Sequence, residues 1–264
     1  MSVKSPQEVI ESAIEIGQKK VSISNKSFGK LSILSILAGA YIAFGGTLSL
    51  IVGYGFTEAT ADNPSLQRIL SGFMFPIGLI LVVILGAELF TGNNALLIPA
   101  YMQRKYKMWD VMKNWGLVYL GNFVGAVTFT YLFVYECGLT ANSPYMDAVV
   151  KIAENKVYTM SWQTVFLKGI GANWCVCLAV WLALSSKSFV GKMIGCWLPV
   201  MAFVALGYEH SIANMFYIPA GVFEGAQISL YDAIINSFIP ATIGNIVGGA
   251  VFVGMAYAYI NNKK

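Results

Sequence analysis

The sequence is short of charge. Aspartate, glutamate, lysine and arginine make up 11% of its 264 residues, where a soluble domain carries about 25%. That is too little to clothe a water-facing surface. Histidine occurs once, as His210. The four cysteines, Cys137, Cys175, Cys177 and Cys196, show neither metal nor disulfide spacing, and in or beside apolar runs they read as small buried hydrophobes. One histidine and two mid-span glutamates, with no second ligand cluster, argue against a membrane-embedded metalloenzyme. No metal and no organic cofactor is implied. A net charge of +4 is too small and too scattered to suggest nucleic acid. Residues 1–30 are polar and lack an apolar core before a small-residue cleavage site, so a signal peptide is not expected.

What the chain has instead is apolar sequence, 57% of it, which makes it an all-α integral membrane protein. A bilayer core about 30 Å thick needs roughly 20 apolar residues per helix. Candidate spans fall near 31–54, 69–101, 114–137, 162–185, 193–222 and 234–260. The second and fifth are too long for one simple span. Each also carries polar residues and a proline deep inside: Glu88 to Asn94 then Pro99, and Glu209-His210-Ser211 then Asn214 and Pro219. Irregular backbone at membrane depth is tolerated only where it is buried in protein or lines a cavity. Both are therefore expected to be interrupted helices.

Six spans put both termini on one side. That side collects Lys4, Lys19, Lys20, Lys26, Lys30, Arg104, Lys105, Lys107, Lys113, Lys187, Lys192, Lys263 and Lys264, against Arg68, Lys151, Lys156 and Lys168 opposite. The excess predicts cytoplasmic termini in a multi-pass protein of the cytoplasmic membrane. Ahead of the first span, Ser5-Pro6-Gln7-Glu8 is a capping box with proline at the first helical position. Val9, Ile10, Ala13, Ile14 and Ile16 then form an apolar stripe, so residues 1–30 read as an interfacial helix, lying on the membrane or packed on a neighbouring subunit.

The two halves resemble each other. "GAEL" (86–89) aligns with "GYEH" (207–210) and, after a one-residue slip, "NALLIPA" (94–100) with "NMFYIPA" (214–220). "GNFVGAV" (121–127) aligns with "GNIVGGAV" (244–251). Residues 31–137 and 162–262 are thus two copies of a three-helix unit, joined by an extracytoplasmic connection, 138–161. Three is odd, so the second copy enters the membrane inverted, and paired broken helices point to a substrate path near the midplane. Gly121, Gly125, Gly244, Gly248 and Gly249 offer flat faces for close helix contact.

In this order, "GAELFTGN", "LGNFVG", "NWCVCLAVW", "GYEHSIANM" and "TIGNIVGG" resemble the formate/nitrite transporter family over nearly the whole chain. The resemblance implies a six-helix protomer with an aquaporin-like inverted 3+3 repeat, assembled as a homopentamer with one pore per subunit. It implies transport of a small monovalent anion or its neutral acid: formate first, on the amino-terminal "PQEVIESAIEIGQKK" and the "AELFTGN" loop, with nitrite and hydrosulfide as alternatives. The short "GVFEGAQISLYDAI" connection lacks the long insertion of some formate channels. Aquaporins themselves match poorly, because Asn-Pro-Ala is replaced by Thr-Gly-Asn-Asn and Ile-Ala-Asn-Met. A water- or glycerol-like channel is the distant alternative.

Carried over residue by residue, the resemblance makes His210 the central pore histidine and Thr91 the loop threonine facing it. Asn173 and Asn245 become asparagines serving the loop or the permeant. Glu209 becomes the anchor of the broken fifth helix, with Glu88 as its repeat-mate. Leu89 and Phe203 match the outer constriction, Phe75, Leu79 and Phe90 the constriction toward the cytoplasm, and Lys156 a cation of the outer vestibule. A bare anion should not cross such apolar rings, whereas a neutral acid should. The expected partners are the small anion, protons, the bilayer and further copies of the chain.

Overall fold

A computed structural model describes residues 3–261, which form helices joined by short turns. An isolated bridge between Val3 and Ser186 is the extended pairing among them. Lys263 and Lys264 of the charge count, and the last residue of the second repeat, lie outside the described residues.

Helix α1 (Pro6–Lys26) starts as its sequence predicts: the Ser5 backbone N–H donates to Glu8 Oε2 at 2.7 Å, and the Glu8 N–H to Ser5 Oγ at 3.3 Å. Part of its apolar stripe packs on the chain itself, while Ile14 and Ile16 stay partly exposed. Val9, Ile10 and Ala13 are buried against Leu96, Cys177, Val180 and Trp181 of the same chain. The stripe matches a face that the chain itself supplies, and burying it there removes it from water.

Among the described residues, five helices are long and apolar enough to cross a membrane: α2 (Phe28–Tyr54), α3 (Pro64–Leu85), α5 (Met108–Tyr135), α7 (Trp162–Ser185) and α10 (Leu230–Ile260). The second predicted span continues beyond α3 as α4 (Phe90–Leu96) and the single turn Ile98–Met102. The fifth divides into α8 (Phe189–Ala205) and α9 (Ser211–Phe223). The fourth span begins where hydropathy placed it, at Trp162, and the other spans three to six residues earlier, because polar first turns such as Met108–Lys113 are already helical. The predicted loop 138–161 holds a further amphipathic helix, α6 (Tyr145–Glu154).

Glycine sets the closest contacts. A Cβ on Gly39 of α2 would stand 2.0 Å from the Asn122 carbonyl oxygen, and one on Gly125 of α5 1.9 Å from that of Ile36. Gly244 of α10 and Gly169 of α7 meet in the same way. Large apolar side chains such as Leu120, Phe133, Leu167 and Leu198 point outward, as on a lipid- or subunit-facing wall. Of the cysteines, Cys177 and Cys196 are buried as expected, Cys175 is partly buried, and Cys137 is exposed just beyond α5.

Candidate functional site: two helix breaks and the single histidine

Both breaks are built alike. After α3, Gly86 takes φ +73°, Leu89 is extended, and α4 begins at Phe90. After α8, Gly207 takes φ +68°, His210 is extended, and α9 begins at Ser211. Only glycine adopts such a left-handed turn without strain, which places the breaks at 86–89 and 206–210. Asn94, Asn214 and Pro219, read from sequence as part of the interruptions, lie inside the helices that follow.

Freed backbone groups at each break find corresponding partners. Asn122 Oδ1 accepts the Phe90 N–H at 2.9 Å, and its Nδ2 donates to the carbonyls of Ser35 (2.7 Å) and Glu88 (2.8 Å). Asn245 does the same for the second break, accepting from Ser211 N–H (2.8 Å) and donating to Gly169 (2.8 Å) and Glu209 (2.9 Å). The carboxylates are held in the same fashion. Glu88 pairs with Lys20 and Glu209 with Lys156, each at 2.9 Å. Asn93 Nδ2 donates to Glu88 Oε2 at 2.8 Å, and Asn214 Nδ2 to Glu209 Oε2 at 2.9 Å. Asn93, not Asn94, is therefore the counterpart of Asn214, and the one-residue slip falls after it, where Leu97 separates α4 from the turn Ile98–Met102. Asn114 and Ser237 complete the set by accepting from Asn93 (2.9 Å) and Asn214 (3.0 Å). Such pairing offsets the cost of burying the charges and amides, although Asn214 Oδ1 is left without a partner among the described residues.

Leu89 and His210 occupy equivalent cap positions, and there the halves differ. His210 Nδ1 accepts the Ala213 N–H at 3.1 Å, capping α9, which assigns the ring hydrogen to Nε2. That nitrogen lies 2.9 Å from Thr91 Oγ1 at the start of α4, so the imidazole donates to the threonine and joins the two breaks. Asn173 Nδ2 sits 2.6 Å from the Asn245 carbonyl, 3.0 Å from Asn94 Oδ1 and 3.2 Å from the Thr91 carbonyl. His210, Thr91, Asn173 and Asn245 thus come together, with both asparagine amides engaged by the chain itself.

Two cavities approach this cluster. One, of about 270 Å³, reaches His210 past Phe75, Phe203, Lys156, Glu209 and Arg68. The other, of about 450 Å³, reaches Leu89 and Gly92 past Leu79, Lys19, Lys20 and Lys30. The apolar side chains group differently from the family pattern. Phe75 meets Phe203 edge to face, ring centres 5.7 Å apart, in the first cavity. Leu79 and Leu89 line the second. Phe90 lines neither; it packs against Tyr119 and Trp115. One helical turn along α3 separates Phe75 from Leu79, enough to put them at different depths. Residues 145–159 also escaped the sequence reading as a source of helix, and Asn122, Asn93 and Lys20 as site residues. The signal for Asn122 was present, since the repeated Gly-Asn-x-Val-Gly places it opposite Asn245.

A buried histidine bridging two helix interruptions, with a cavity on either side, defines a channel-like, multi-pass helical membrane protein. A family model described as formate/nitrite transporter matches residues 7–259. An uncharacterized transporter of Bacillus subtilis is 41% identical across all of this chain and 96% of its own length. A formate channel of Bacillus thuringiensis is 41% identical over 97% of this chain and 95% of its own. A solved structure, a pentameric formate channel with formate bound, superposes with a TM-score of 0.78 at 32% identity, covering 90% of this chain and 99% of that one. The chain belongs to the formate/nitrite transporter family, and its activity is transport rather than catalysis.

Proposed function

We propose that the chain carries formate, as the neutral acid formed from the anion, along a path through the His210–Thr91 contact. The contact carries the reading: it is the polar point at which the cavity from Phe75 and Phe203 approaches the cavity from Leu79 and Leu89. Formate is favoured over nitrite and hydrosulfide because the similar channel of Bacillus thuringiensis and the similar pentamer are named for it. On this reading the chain assembles as a homopentamer in the cytoplasmic membrane with both termini in the cytoplasm. Residues 31–137 and 162–262 are inverted copies; 1–30 and 138–161 are the segments ahead of them.

In this mechanism the phenylalanine and leucine pairs exclude a solvated anion, since stripping its water costs several kcal/mol. Passage therefore requires a proton, taken up near His210 from water or through the imidazole and released beyond the second apolar layer. With Nδ1 engaged as a helix cap, the Nε2 hydrogen and the Thr91 hydroxyl are the pair that meets the permeant. Asn122, Asn173 and Asn245 hold the breaks, and Glu88 and Glu209 anchor them.

Purified protein in liposomes tests the reading by uptake of formate, nitrite and hydrosulfide over a pH series. Formate flux that is fastest of the three and rises toward low pH is expected. Hydrosulfide or nitrite flux with little formate would change the substrate, and no flux of any would remove the transport mechanism.

A further inference from the structure

The cation expected to attract anions at the His210 cavity, Lys156, is already committed. Its Nζ lies 2.9 Å from both Glu209 carboxylate oxygens and 5.5 Å from the centre of the Tyr217 ring. An ammonium so matched gives the cavity a local dipole but no net charge. Glu209 is the sole acidic residue on that wall, and one further cation lines it, Arg68. Arg68 sits in the second turn of α3, is exposed, and has no carboxylate within ion-pairing distance among the described residues. We infer that Arg68, rather than Lys156, supplies the net positive field that concentrates monoanions at this mouth.

The inference rests on the anion-transport reading above. Its physics is that of a charge at the rim of a low-dielectric cavity, whose walls focus the field on the entering ion. An exposed guanidinium stays hydrated and does not trap the anion, and its planar fork matches a carboxylate. The other mouth follows the same plan: Lys20 is committed to Glu88, while Lys19 and Lys30 line that cavity with no ion-pair partner among the described residues. Each mouth thus separates the lysine that anchors a broken helix from the cations that face incoming anion.

Membrane vesicles of uniform orientation, prepared in both senses, test this by initial formate uptake as ionic strength is varied with an impermeant salt. The Debye length is about 10 Å at 0.1 M, so added salt should slow the wild type entering from the Arg68 side. The Arg68→Gln variant should enter from that side about threefold more slowly at low salt, an effect of one unit charge at the rim. It should match the wild type at high salt and be unaltered from the opposite side, and Arg68→Lys should behave as wild type. An unchanged salt dependence in Arg68→Gln, or an equal loss at every salt concentration and from both sides, overturns the role of Arg68 and leaves transport standing. Wild-type vesicles impermeable to formate, nitrite and hydrosulfide overturn the transport reading and this inference with it.

Discussion

His210 has two tasks that a single substitution can separate. Its Nδ1 caps α9 and its Nε2–H reaches Thr91. Asparagine is among the best capping residues, so His210→Asn is expected to fold and assemble while removing the titratable ring. Asn122 and Asn245 show the opposite pattern, since all their side-chain bonds go to backbone, at the break and on the helix beside it. Replacing either by leucine leaves the first N–H of the following helix and the Glu88 or Glu209 carbonyl unpaired, whereas Ser35 and Gly169 keep their places in the ladders of α2 and α7; a loss of about 3 kcal/mol is expected. The check is a lowered thermal midpoint in detergent, of similar size for the two variants. At the amino terminus, the Ser5 N–H donating to the exposed Glu8 carboxylate holds its pKa below the ordinary 4.5. A lowered pKa stabilises the helix start above that value and ceases to do so as pH falls through the folded pKa. Protection of the first-turn amides of α1, referred to the intrinsic exchange rate at each pH, should therefore fall as the Glu8 carboxylate protonates in acid, and in Glu8→Gln this dependence should vanish.

At the scale of elements, small residues decide which helices touch. Gly39→Ala and Gly125→Ala each drive a methyl into a carbonyl of the facing helix, and a cost of roughly 1–3 kcal/mol is expected. Alanine at Gly116, which has open space around it, should cost almost nothing in the same unfolding assay. Much of this architecture was legible in the sequence. The capping box of α1, the run of apolar helices and the presence of two breaks all follow from local pattern and from what backbone tolerates in lipid. The limits of each break were not, because polar residues mark both the turn and the first turn of the helix after it. Gly86 and Gly207, not the asparagines, end the preceding helices. Helix α6 was missed because its apolar positions, Ala148, Val149 and Ala153, are too short a stripe to signal a membrane element. Which apolar ring faces which cavity depends on depth along α3, and a linear motif does not carry that.

For the whole molecule, the two halves answer each other down to single side chains: Lys20–Glu88–Asn93–Asn114 against Lys156–Glu209–Asn214–Ser237. Removing one partner of a mostly buried pair strands the other charge, at about 3 kcal/mol. Lys20→Gln and Lys156→Gln should accordingly lower thermal stability by comparable amounts. The paired changes with Glu88→Gln or Glu209→Gln should recover most of the loss, as a double-mutant cycle can read. At the cap positions the correspondence breaks, where leucine in the first half meets histidine in the second, and the proposed chemistry is assigned to that place. The most direct test is formate uptake into liposomes from pH 5 to 8, wild type beside His210→Asn. The wild type should accelerate toward low pH while the folded variant shows an altered pH profile; identical profiles would contradict a role for His210 in moving the proton.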